Sequence, residues 1–288
     1  MPKSIKTLQN TSQRQKMKKI LCCFLLSLSV AVADIVDDKV QEIIGEQSYN
    51  QNKNFINKIF QNKARFIISG AGSERVNIAL LLKELKDNGL LQLKFPTPLE
   101  LRARFISETS PVLLSYTLNN VLSSIGYSFF ITSKSAKAKN MSMIEFSLIT
   151  EHALDPMILI GELQRRGFRL NEIKRLSTNE WEYHIVATNP QLFNAKPISV
   201  GNTLSLREVS GQYWLNTISK GTLIINANGR WIPRVVCYDK NLEIINLVVA
   251  KTPQTRLNLK IDNKTAFVMI TDAQNPAMIK QIDIAFSF

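Results

Sequence analysis

The chain has 288 residues, with 36 Lys and Arg against 23 Asp and Glu and a formal net charge of +13. Hydrophobic residues make up 45% of it, which excludes a disordered polyelectrolyte and allows two or three packed domains. Six basic residues (Lys3, Lys6, Arg14, Lys16, Lys18 and Lys19) stand ahead of an apolar run, and without them the charge falls to +7, too little to require nucleic acid as partner.

Residues 1–33 contain no acid, and the run 20–32 ends in Ala31-Val32-Ala33, the order of charge, apolar core and small residues that a signal peptidase reads. The run is shorter than the about 20 residues of a membrane helix. The expectation is cleavage after Ala33, a periplasmic location and no integral membrane span in the remainder; a retained anchor is the alternative. Met17-Lys18-Lys19 opens a compact signal by itself, so Met17 is a candidate start. Cys22 and Cys23 lie inside the run without the small residue that precedes a lipidated cysteine. Cys237 is then the one thiol of residues 34–288, expected as a buried apolar residue of a strand and unable to form an internal disulfide.

Residues 34–46 place Ile35, Val36, Val40, Ile43 and Ile44 on one helical stripe. Gly45 and the polar stretch 47–54 interrupt it before a short helix at 55–60, so 34–62 reads as a helical stalk or partner-binding segment. From 63 to 188 a pattern repeats: three amphipathic helices end in Leu-x-x-x-Gly and a large apolar residue, at Leu85 to Gly89-Leu90, Leu122 to Gly126-Tyr127 and Leu163 to Gly167-Phe168. Glycine supplies the positive φ of a helix C-cap. Pro111 and Pro156 stand near helix starts, where a missing N–H costs nothing, with Ser110 or Thr109 and Asp155 as caps. Two strands are expected after each helix: 90–95 and 99–106, broken by Pro96-Thr97-Pro98; 127–132 and 143–150, across a Lys-, Ala- and Ser-rich loop at 133–140; and 168–176 and 180–187. A strand at 65–69 in front completes a ferredoxin-like module over 63–140, followed by a second βαββ module over 141–189.

Residues 190–197, with Pro190 and Pro197, read as a linker. Beyond it come eight short strands, at 203–209, 213–218, 221–226, 231–238, 242–250, 256–261, 266–271 and 279–286, separated by turn residues such as Asn228-Gly229. Such spacing predicts a β-sandwich or jelly-roll over 198–288. The fold class is α+β: tandem βαββ modules of ferredoxin-like or ring-building kind, helices on one face of each sheet, then an all-β sandwich.

Catalytic patterns are absent from the sequence. The only histidines, His152 and His184, stand in no His-x-His or Glu-x-x-His spacing, so neither metal nor cofactor is expected. No serine lies in Gly-x-Ser-x-Gly, and no enzyme is expected. Gly70-Ala71-Gly72 ahead of a helix suits a phosphate, but Arg75 replaces the third glycine of the dinucleotide fingerprint. A plain connection with Ser73 as N-cap is the expectation. Tyr213, Trp214, Trp231 and Tyr238 are candidates for a sugar-stacking platform, with core packing the competing reading. The clusters Lys134, Lys137, Lys139 and Arg165, Arg166, Arg169 are candidates for contact with anionic lipid or peptidoglycan, although a helix dipole accounts for Arg165 and Arg166. Their lack of interleaved aromatics disfavours nucleic acid.

The stretch Leu-Leu-Leu-Lys-Glu-Leu-Lys-Asp-Asn-Gly-Leu-Leu at 80–91, with Asp155-Pro156, Leu163-Gln-Arg-Arg-Gly167 and Trp181-x-Tyr183, resembles uncharacterised periplasmic proteins of epsilon-class proteobacteria. The resemblance implies a Gram-negative envelope and an accessory role near secretion systems or flagellar motors, and it carries over no catalytic residue. The expected function is a non-enzymatic periplasmic scaffold or adaptor that docks to an envelope assembly; its partners are other envelope proteins, with a homo-oligomer left open. The alternative is a glycan- or peptidoglycan-binding protein that uses the sandwich.

Overall fold

The structure, a computed structural model, describes residues 35–70 and 73–288. The expected signal at 1–33 and Ala71-Gly72 of the Gly70-Ala71-Gly72 loop lie outside the described residues. Helix and strand are mixed, with strand predominant. The chain divides into two compact units: the described residues up to Leu99 with Thr150–Met157 and Glu172–Glu182, and Glu100–Ile149 with Ile158–Asn171 and Tyr183–Phe288.

The first unit opens with helix α1 over residues 35–44, ended by Gly45 at φ +86°, then α2 (Glu46–Gln51) and α3 (Lys53–Ile59). The polar stretch 47–54 is therefore helical, because Tyr49 and Ile56 supply one buried side and the polar residues face water. Nor is 35–62 a stalk: Val36, Val40, Ile43 and Phe60 are buried, and Lys39 reaches Glu172 (3.4 Å) while Arg175 donates to the Ile43 carbonyl (3.2 Å). A 3-10 turn, Lys63–Phe66, sets Phe66 against Phe60, and the hairpin β1 (Ile67–Gly70) and β2 (Ser73–Val76) follows. Ser73 thus begins a strand. The N-cap of α4 (Ile78–Asp87) is Asn77, whose side chain accepts from the Leu80 N–H at 3.2 Å.

Helices α5 (Pro111–Ser124) and α6 (Pro156–Arg165) begin as their prolines suggest, with Ser110 accepting from Leu113 N–H (3.2 Å) and Asp155 from Met157 N–H (2.9 Å). The exits of α4 and α5 share one chemistry. Leu90 N–H donates to Leu85 O (2.8 Å) and Gly89 N–H to Lys86 O (3.0 Å), and Tyr127 and Gly126 repeat both bonds to Leu122 and Ser123. That pair of bonds is a Schellman motif, and it needs the positive φ of Gly89 and Gly126. At Gly167 space as well as φ excludes a side chain, since a Cβ there would lie 1.7 Å from the Asn189 carbonyl.

Strand β3 (Lys94–Ser107) is continuous where two strands were expected. Pro96 and Pro98 fall in its exposed opening stretch, where a missing N–H is tolerated. Residues 131–138, expected to be mostly loop, form β4 (Ile131–Ala138), which is antiparallel to β5 (Met141–His152). With β6 (Phe168–Arg175) and β7 (Glu180–Ala187) the sheet order is β4-β5-β3-β7-β6. So α4 is followed by one strand, and α5 and α6 by two each. On β5 the buried Glu145 accepts from Arg104 Nη2 (2.9 Å) and Nε (3.1 Å) and from Ser133 Oγ (3.0 Å).

The rest of the second unit is a two-sheet, sandwich-like body of nine strands: β8 (Lys196–Ile198), β9 (Thr203–Arg207), β10 (Tyr213–Thr217), β11 (Gly221–Trp231), β12 (Pro233–Tyr238), β13 (Ile244–Val249), β14 (Gln254–Ile261), β15 (Phe267–Asp272) and β16 (Gln281–Ser287). One sheet is ordered β13-β12-β15-β10-β8 and the other β14-β11-β16-β9. Alternate residues of both, including Leu215, Val235, Cys237 and Ile270 from the first and Leu223, Ile225, Leu259 and Ile284 from the second, make one apolar core. Strand β8 comes from the stretch read as a linker and pairs in parallel with β10. Asn228-Gly229 is no turn: β11 runs through it, with a register shift against β14 between Asn226 and Trp231. The chain then changes sheets within two residues, Trp231 closing β11 and Pro233 opening β12. Asp272 holds this corner, accepting from the N–H groups of Ile232 (2.7 Å), Gln274 (2.8 Å) and Asn275 (2.8 Å).

Candidate docking site

The six edge strands of the three larger sheets differ in one respect. Strands β4, β6, β8, β9 and β14 each carry charged residues, and β8 has Pro197 as well, the usual protection of an edge against unwanted pairing. Strand β13, Ile-Ile-Asn-Leu-Val-Val, has neither charge nor proline. Four of its five apolar side chains are nonetheless in water: Ile244 is 66% exposed, Leu247 50%, Val249 49% and Ile245 37%.

The local sequence explains why this strand forms and where it points. Asp239 builds the β12–β13 turn, its carboxylate accepting from Asn241 N–H (2.8 Å) and Glu243 N–H (2.9 Å). Leu242 takes a positive φ of 59° there, held by its own burial. Along the strand Arg234, Val235, Val236 and Cys237 face Val249, Val248, Leu247 and Asn246, and Ala250 N–H donates to Pro233 O (2.8 Å). Bonded positions alternate in an antiparallel pair. Leu247 and Val249 therefore direct their N–H and C=O groups away from β12, toward the open edge. Val248 points into the core, which fixes Leu247 and Val249 on the outer face.

At its start the strand meets an open pocket of about 540 Å³, where Ile245 is joined by Thr217, Lys240, Asp262 and Lys264. The Asp262 carboxyl is held below its ordinary pKa by the Lys264 N–H and the Thr265 hydroxyl. Asp239 and Asp262 thus serve their own turns first.

Of the four aromatics considered for sugar stacking, Tyr213 and Trp231 are core residues, 1% and 2% exposed, and offer no ring face to a ligand. The reason is register: both fall on the inward side of their strands. Trp214 and Tyr238 are half-buried on the outer side, stacked at 5.5 Å, with Tyr116 of α5 beside Trp214 at 6.4 Å. The structure does not bring the four together as a platform. Lys134, Lys137 and Lys139 are exposed along β4 and its turn, and Lys134 stands 3.5 Å from Glu145. Arg165 and Arg169 are exposed, but Arg166 is not a surface contact: it is buried, donating to Glu162 Oε2 (2.6 Å) and Asn120 O (3.2 Å) and lying over Phe193. Among the described residues no group of three His, Cys, Asp or Glu is placed to hold a metal, and no helix is long and apolar enough to cross a membrane.

The exposed edge at 244–249 was not visible beforehand. A run of five apolar residues in six reads as a buried strand, and periodicity alone gives no sign of which strand ends up at an edge.

No protein family matches the chain, and no curated protein matches it. Solved structures similar to a part of it include the pre-peptidase C-terminal domain of a collagenase from Bacillus anthracis, with a TM-score of 0.24, 11% identity, and 32% of this chain and 94% of that one covered. Another is a β-glucosidase from Paenibacillus barengoltzii, with a TM-score of 0.22, 13% identity, and 32% and 11% covered.

Proposed function

We propose that the protein is a non-enzymatic scaffold or adaptor of the bacterial envelope, exported to the periplasm, that docks to a larger assembly by lending a sheet edge to another chain. The observation that carries this reading is β13, among the described residues the one edge strand of the larger sheets without a charge or a proline, with four of its five apolar side chains in water. Edge-strand addition takes its affinity from main-chain bonds and its selectivity from alternate side chains, so it needs no catalytic constellation. The runs α5–β4–β5 and α6–β6–β7 fit the same reading as repeated modules, similar in element order to ring-building domains. The export signal and the resemblance to periplasmic proteins of epsilon-class proteobacteria give it a compartment.

A photoreactive residue at position 247, in cells, tests the reading. The expected outcome is a protein adduct at 247 that is absent with the same probe at Val209, which is 98% exposed but lies outside every strand. Equal yields at the two positions, or none at 247, would remove it.

A further inference from the structure

Strand β13 is complementary to itself. Its six residues are uncharged, and they are flanked by the exposed Glu243 on one side and the exposed Lys251 on the other. An antiparallel strand laid along Leu247 and Val249 takes up their outward N–H and C=O groups. When that strand is a second β13, turned about a two-fold axis at Leu247, the two Leu247 side chains meet, and the stretch of each copy before Leu247, which shifts register against β12 between Asn246 and Ile244, runs alongside Val249 of the other. The acidic end of each strand, at Glu243, then lies toward the basic end of the other, at Lys251, so the antiparallel direction brings opposite charges to both ends of the seam. A parallel arrangement would set like charge against like. Self-complementarity of this kind is what an isologous interface requires. A charged partner strand, by contrast, would find nothing to match it between 244 and 249.

We infer that the protein associates with a second copy of itself through β13, joining two five-stranded sheets into one continuous sheet across a two-fold axis. This rests on the docking reading above and names the occupant of that edge. One six-residue strand from each copy is a small contact, of the class that forms weak and reversible complexes, so the dimer depends on concentration.

Sedimentation of the purified chain from low to high micromolar concentration is expected to follow a monomer–dimer equilibrium. Leu247→Lys, a change at an exposed position, weakens association by about tenfold or more while the circular dichroism spectrum stays the same. Glu243→Lys and Lys251→Glu each weaken it, and the double variant, with the charges exchanged, restores it. A monomer at every concentration overturns the self-pairing. A dimer indifferent to Leu247→Lys overturns the strand, and one that survives both single charge reversals overturns the antiparallel direction. If the chain is monomeric and the probe at 247 still captures a different protein, the docking reading stands without self-association. If neither occurs, both fall.

Discussion

Glu145 keeps a charge where little water reaches. Its side chain is 3% exposed, and burial works against ionisation, but the Arg104 and Ser133 hydrogen bonds and the nearby charge of Lys134 outweigh it and hold the carboxyl below its ordinary pKa. Removing the guanidinium takes two charge-assisted hydrogen bonds from the buried carboxylate and leaves it only Ser133 and the exposed Lys134. Arg104→Met is therefore expected to lower stability by about 1.5–3 kcal/mol in urea unfolding. Arg104→Met with Glu145→Met, which removes both charges, recovers most of the loss, and an undiminished loss in the double variant would show that the pair is not the source. Residues 143–150 give no sign of this arrangement in the sequence. The acid stands in an apolar run like any solvent-facing residue of a strand, and its partner lies 41 positions away.

Among elements, those set by local bonds were readable and those set by pairing were not. The exits of α4 and α5 close within six residues, so Leu-x-x-x-Gly and the following apolar residue contained the whole motif. Strand β4 is the opposite case: Lys, Ala and Ser have little strand preference, and it is a strand because β5 pairs with it. The corner between β11 and β12 also escaped, since Asn228-Gly229 has the residues of a tight turn and Trp231-Ile232-Pro233 those of an unbroken strand. The corner depends on Asp272, which is buried; its three backbone donors overcome the cost of burial and lower its pKa. A carboxyl with a lowered folded pKa stabilises fully above its unfolded value, and the contribution is lost as the pH falls through the folded value. Asp272→Asn is therefore expected to cost about 1–3 kcal/mol at neutral pH. The difference from the parent chain shrinks in the acid range, below about pH 4. A difference independent of pH would show that ionisation of Asp272 does not hold the corner.

At the scale of the molecule, the order of the expected helices and strands pointed to a mixed chain, and the spacing of turn residues pointed to a body built of sheets. Chain order could not reveal the interleaving of the two units, because Thr150–Met157 and Glu172–Glu182 group with the N-terminal residues rather than with their sequence neighbours. The sandwich-like body draws one core from both of its sheets, so neither sheet keeps its buried face dry if the other departs.

Cys237 sits in that shared core, and burial pushes its thiol up to about pKa 11. Since only the thiolate attacks a thiol reagent, the folded protein hides its sulfur twice, by access and by protonation. In a chain without residues 1–33 it is the sole thiol. The rate at which a reagent captures it then times the parting of the two sheets. That rate is expected to rise with denaturant in step with loss of circular dichroism; fast capture without denaturant would mean that the layers breathe apart while the rest of the chain stays folded.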